Sequence, residues 1–222
     1  QLHRAAALRR RLHRRGRSDE CPQSTSAVTM TSTALRAWVD ESGSDHEKDP
    51  GTYVLAAAIG RRTCEDDVRE QMARLRLPGQ VKLHWRDETE RRRATISRTV
   101  AGLDVAHLVV VRSGVSHERP ERRRRKCLER LLHELQTRAV DDVILESRGP
   151  HDNGRDVQML NALRGQAAVG PSLRLSHVIG RTEPMLWIPD TVCGAVTSAR
   201  TGVSTYLAQL ESRLTLIEIA WK

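Results

Sequence analysis

The sequence predicts an α/β fold, a mixed β-sheet flanked by α-helices, and three observations predict it. Short apolar runs rich in β-branched residues recur along the chain; segments with apolar residues at helical spacing alternate with them after residue 100; and 222 residues at 38% hydrophobic suit one sizeable core. The longest apolar runs, such as Val54 to Ile59, suit buried strands and fall short of the roughly 20 residues a membrane span requires.

The first strand is expected from Leu35, where Leu-Arg-Ala-Trp-Val is closed by the turn-forming Asp40-Glu-Ser-Gly43. A polar loop, Ser44 to Gly51, leads to a second strand, Tyr53 to Ile59, ended by Gly60, and so short a connection implies an antiparallel pair. Cys64 to Leu77 follows helical spacing, with acids at its start and Pro78-Gly79 to stop it. Val81 to Trp85 is expected as a brief strand, and Asp87 as the N-cap of a helix reaching Gly102. Val105 to Val111 is a buried strand. A long helix from about Glu118 to Arg138 follows, with Leu128, Leu131, Leu132 and Leu135 on one stripe. Val143 to Ser147 is the next strand, Asp156 to Arg164 a helix, Leu173 to Ile179 a strand, and Asp190 opens a terminal helical region.

Basic residues number 37 against 28 acidic, for a net charge of +9, and all but four of them are arginine. That balance favours a polyanionic partner. Residues 1–29 hold seven arginines against Asp19 and Glu20, with no initiator methionine at position 1 and Met30 just before the first strand. This leader is expected to be disordered, either upstream sequence, a basic arm for nucleic acid, or a transit-type segment, with 30–222 forming a single domain. The cysteines, Cys21, Cys64, Cys127 and Cys193, show no C-x-x-C spacing and fit a reducing cytoplasm.

Three acids fall where chemistry is expected. Asp40 ends the first strand and Glu146 a later one, the positions that line the ligand crevice of open α/β sheets. Asp190 precedes a run of small residues, including Gly194, Ala195 and Ala199, that lets a helix lie close to the sheet. Gathered together, such carboxylates repel by about 4 kcal/mol per pair at about 4 Å and an effective dielectric of about 20. Hard divalent cations, Mg²⁺ or Mn²⁺, offset that repulsion, and a pair of them would activate water against a phosphodiester. Each acid also has a plainer reading: turn chemistry for Asp40, a solvated strand end paired with Arg148 for Glu146, and an N-cap for Asp190.

Trp38-Val-Asp-Glu-Ser-Gly43, Tyr53-Val-Leu-Ala-Ala, Lys82-Leu-His-Trp85, Val143-Ile-Leu-Glu146 and Leu186-Trp-Ile-Pro-Asp190-Thr-Val-Cys-Gly-Ala195 together resemble the domain-of-unknown-function 3800 family, small ribonuclease H-like proteins expected to be metal-dependent nucleases. The resemblance runs in order from Leu35 to the C-terminus. It implies a ribonuclease H-like mixed sheet, Asp40 as first metal ligand, Glu146 as the second-strand acid and Asp190 as the helix acid, with His84 in a motif of the family. Glu146 departs from the family, many of whose members carry Asp there.

Glu41 and Asp156 are further candidate metal ligands. Glu41, as Asp40's neighbour, belongs on the opposite face of a strand, and Asp156 also suits a helix start. His84 is a candidate proton carrier. Lys82, Arg148, Arg122, Arg123 and Lys126 are candidate contacts for the nucleic-acid backbone, DNA or RNA. With 3% aromatic residues and no Phe, no stacking platform for bases is evident. The expected activity is therefore metal-dependent phosphodiester hydrolysis. The alternatives are a non-catalytic nucleic-acid-binding module on the same scaffold and a metal-dependent phosphatase.

Overall fold

The computed structural model describes residues 34–114 and 118–220, which lie within one unit, Thr31–Lys222. The basic leader expected over 1–29 lies outside the described residues. Strands β1 (Leu35–Gly43), β2 (Thr52–Arg61) and β3 (Ala106–Ser113) form an antiparallel meander. β4 (Val140–Glu146) lies parallel to β1, and β5 (Arg174–Val178) parallel to β4. β6 (Leu214–Ala220) closes the other edge, parallel to β3, so the order is β5-β4-β1-β2-β3-β6.

The central strands are covered on both faces, which is why they lack polar alternation. Trp38, Val54, Ala56 and Ala58 point to one side, under α1 (Glu65–Ala73), α2 (Glu90–Gly102), α5 (Trp187–Arg200) and α6 (Thr205–Leu210). Ala37, Val39, Leu55 and Ala57 point to the other, under α3 (Pro120–Thr137) and α4 (Pro150–Gly165), where the leucine stripe Leu128, Leu131, Leu132 and Leu135 is fully buried. No described helix is long and apolar enough to cross a membrane. Cys64, Cys127 and Cys193 are free thiols.

Several boundaries differ from expectation. The helix expected from Cys64 to Leu77 ends at Ala73, because Leu75 and Arg76 tighten into a turn ahead of Pro78, which disfavours helical backbone before it. The alternation over Val81–Trp85 is real, with Leu83 and Trp85 buried, but it packs under α5 as an irregular segment and joins no ladder. Thr89, whose hydroxyl accepts from the Arg92 N–H, caps α2 in place of Asp87. α4 starts at Pro150, six residues early, so Asp156 sits inside the helix and not at its start. α5 likewise starts at Trp187, placing Asp190 in its first turn and not at its cap. β6 was not expected at all: Leu214-Thr-Leu-Ile-Glu-Ile-Ala220 is largely apolar, but it follows directly on the helical region that Asp190 opens.

His107, on β3, is 1% exposed, and its ring nitrogens find no hydrogen-bond partner among the described residues. Burial first, and Arg213 second, push its pKa down to about 4. The folded chain sheds a proton that the unfolded chain keeps up to about 6.5, so the associated stability is complete above that pH and is lost on descending towards 4. We expect His107→Leu to flatten the fall in urea midpoint across this window, a difference of about 3 kcal/mol at its acid end.

Candidate metal centre

Strand register creates the site. Val39 pairs with Leu145 across the parallel β1–β4 ladder, so the next residues, Asp40 and Glu146, stand side by side; Glu146 ends β4, whereas β1 runs on through Asp40 to Gly43, so the turn expected over Asp40–Gly43 is strand, laddered to β2. Asp40 follows Trp38 in facing the α5 side, and Glu146 follows Ile144. Helix α5 crosses directly over them. Its small residues allow this approach: Ala56 and Ala58 of β2 are fully buried beneath it, and the Cys193 thiol reaches the backbone carbonyl of Asp40 at 3.6 Å. Asp190, three residues before Cys193 on the same face of the helix, is thereby brought to the crevice.

Asp40 and Asp190 are each 9% exposed. Burial raises the Asp40 pKa well above the usual carboxylate range, and the charges of Asp190 and Glu146 raise it further. Asp190 is raised too, chiefly by burial, although the Trp85 N–H, His84 and Lys82 oppose the rise. Each carboxylate has one oxygen held by backbone: Asp40 Oδ1 accepts from Glu41 N–H at 2.8 Å, and Asp190 Oδ2 from Trp85 N–H at 2.7 Å. The other oxygen of each accepts no hydrogen bond from the described residues; His84 Nε2 stands 3.9 Å from Asp190 Oδ1. Glu146 is held differently, by Lys82 Nζ at 2.8 and 3.0 Å from its two oxygens.

Two glycines make this arrangement possible, and nothing in their sequence context singles out the first. A Cβ on Gly180 would overlap the Glu146 carboxylate, and one on Gly194 would overlap the Trp85 indole. Gly180 looks in the sequence like an ordinary strand terminator after Ile179. Because Trp85 supplies the N–H that orients Asp190, Gly194→Ala should disturb the centre as well as the packing. The expected cost is about 1–3 kcal/mol of stability, as for other overpacked cores, with a weaker response of the melting temperature to added Mn²⁺. Thermal melts with and without the ion measure both.

The other sequence candidates fall elsewhere. Glu41 and Asp156 do not join Asp40; both are claimed by Arg124 beneath the opposite face of the sheet. Arg124, itself 3% exposed, donates to Glu41 at 2.6 Å and to both oxygens of Asp156, which also contacts His177 Nε2 at 3.0 Å. Burial alone would raise the Asp156 pKa, but His177 and Arg124 outweigh it and hold the carboxyl below its ordinary value. Arg148 belongs to the same network, near Glu41, Glu121, Asp152 and Asp156. On α3, Arg122 pairs with Glu118, Arg123 donates to the Glu118 carbonyl and Lys126 pairs with Glu129. These cations lie away from the acidic crevice because α3 packs on the far side of the sheet. Of the expected backbone contacts, only Lys82 is at the centre.

A cleft of about 720 Å³ opens from the crevice along α5, lined by His84, Arg86, Asp190, Thr197, Ser198 and Thr201 among others. The Arg86 side chain is exposed and makes no hydrogen bond or ion pair with described residues, and Arg93 lies over the Trp85 ring at 5.4 Å. Neither arginine stands out in the sequence: Arg86 follows the irregular Val81–Trp85 segment, and Arg93 is one of three consecutive arginines on α2.

No family model and no curated protein matches the chain. Among solved structures it is similar to ribonuclease HII of Archaeoglobus fulgidus, determined in complex with PCNA, at 14% identity and a TM-score of 0.47 over 80% of this chain and 77% of that one. Bst ribonuclease HIII in complex with Mn²⁺ is similar at 12% identity and a TM-score of 0.45, this chain covering 55% of its length. Ribonuclease H2 of Pyrococcus horikoshii OT3 follows at 12% identity and 0.40, over 81% and 76% of the two chains. The fold itself is ribonuclease H-like: a three-stranded antiparallel meander whose first strand continues the sheet through two parallel strands, flanked by helices on both faces.

Proposed function

We propose that the protein is a Mg²⁺- or Mn²⁺-dependent nuclease that hydrolyses phosphodiester bonds of DNA or RNA, with Asp40, Asp190 and Glu146 as its acidic centre. The observation that carries this reading is the pair of buried carboxylates, Asp40 and Asp190, each with one oxygen fixed by backbone and one oxygen turned to the crevice without a hydrogen-bond partner. Repulsive, hard and oxygen-only, that donor set fits a divalent ion of the magnesium type. Among the described residues no three His, Cys, Asp or Glu side chains enclose one point, so Asp40 and Asp190 are the two side chains that would hold the ion. When bound, the ion supplies charge stabilisation to a phosphoryl oxygen and acidifies water.

The chain's own residues do the rest. Asp40 and Asp190 would hold the ion, and Asp190 lines the cleft. His84, 39% exposed between Asp190 and the cleft, is placed to pass a proton to or from the reacting phosphate through Nε2. Arg86 and the Ser198 hydroxyl offer polar contacts for the sugar–phosphate backbone, replacing the track expected on α3. The test is cleavage of end-labelled DNA and RNA by the purified chain with added Mg²⁺ or Mn²⁺, and its loss in Asp40→Asn. Salt-sensitive binding without turnover would instead identify a non-catalytic module, and turnover confined to phosphomonoesters a phosphatase.

A further inference from the structure

Lys82 is one of only four lysines in a chain with 37 basic residues, and it stands at the acidic centre. Its ammonium bonds both oxygens of Glu146, with the two side chains 21% and 25% exposed. The pairing is built into the backbone. Gly180 lacks the Cβ that would overlap the Glu146 carboxylate, so that carboxylate rests against the 180 backbone, where Lys82 reaches it. The ammonium also faces the charges of Asp40 and Asp190.

We propose that the centre takes a single divalent ion, held between Asp40 and Asp190, and that the Lys82 ammonium stands on Glu146 where a second ion would otherwise sit. The inference rests on the nuclease reading and refines it. Three ionised carboxylates and one ammonium leave two negative charges, which one divalent ion cancels. A second divalent ion would leave the partly buried crevice net positive whether it joined the ammonium or displaced it, and the ammonium has no lone pair to offer it. The absence, among the described residues, of any three ligating side chains around one point follows from the same contact, since Lys82 draws Glu146 into its own pair.

The experiment is a Mn²⁺ titration of the full chain without nucleic acid, counting bound ions by the loss of the free-ion electron paramagnetic resonance signal and by calorimetry. Wild type is expected to bind one ion, with affinity reduced by at least the roughly 10–100-fold typical of damage to a metal site in Asp40→Asn. Lys82→Met, which keeps the aliphatic stem but removes the charge, is expected to bind two, and Lys82→Gln is a second test should the first variant fold poorly by circular dichroism. Two ions on wild type would overturn the single-ion proposal and leave the nuclease reading intact, as would one ion on both folded Lys82 variants. No Mn²⁺ bound by wild type would overturn the metal-dependent reading itself, and this inference with it.

Discussion

Asp40→Asn is expected to abolish cleavage while making the metal-free protein more stable. The substitution is nearly isosteric, and its amide oxygen can keep the hydrogen bond from the Glu41 N–H. What disappears is a buried negative charge facing Asp190 and Glu146, which burial and those two neighbours already disfavour. A carboxyl whose folded pKa lies above its unfolded value weakens the fold once ionised. Wild-type stability from this group therefore declines as pH rises out of the usual carboxylate range and through the raised folded pKa, and the variant escapes the decline. At neutral pH the gain should be about 0.5–2 kcal/mol, the usual size of a stabilising single change. Turnover should fall by at least the ~10²–10³ that loss of one transition-state charge partner costs. Calorimetric melts supply the sign test. Added Mn²⁺ should raise the wild-type melting temperature and leave the variant's nearly unmoved; a variant less stable than wild type without metal contradicts the repulsion described here.

The largest loss of stability is expected at Arg124, on the other side of the sheet. Arg124→Met removes the guanidinium from two acids at once and strands Asp156, 2% exposed, with His177 and the more distant Arg148 as its remaining partners. Breaking a buried pair from one side costs about 3–5 kcal/mol because a charge is left without compensation. Removing both partners avoids that penalty, so Arg124→Met combined with Asp156→Leu should recover much of the loss. Urea midpoints of the two single variants and the double variant decide this. Additive losses would mean that the pair is not coupled as its geometry indicates.

Much of the fold was legible because its signals are local. Leu35–Gly43 and Tyr53–Ile59 announce two strands with a short connection, and the leucines of α3 repeat at helical spacing. β6 was legible in the apolar run Leu214-Thr-Leu-Ile-Glu-Ile219 but was absorbed into the terminal helical region, and the true starts of α4 and α5 were hidden because Pro150 and Pro189 could each be taken for a breaker. At the centre, Asp40, Glu146 and Asp190 were visible as acids near element ends, although β1 in fact continues past Asp40 to Gly43, and the structure brings the three close enough for their charges to act on one another. The division of labour among the neighbouring charges was not visible. Nothing in the spacing of Glu41, Arg124 and Asp156 says that a buried arginine 83 residues away claims the acid next to Asp40. Nor could Gly180 be recognised as the floor under Glu146, since that contact joins the ends of two adjacent parallel strands.

Residues 40 and 41 are gripped from both sides of the sheet, by the Cys193 thiol at the Asp40 carbonyl above and by Arg124 at the Glu41 carboxylate below. A peptide pinned in this way cannot swing its aspartate outward to relax the crowding of like charge. The crevice is thus preorganised for an ion before one arrives: the tension among its acids is kept in the empty state and released on capture, so that rigidity of the scaffold becomes affinity for the cation.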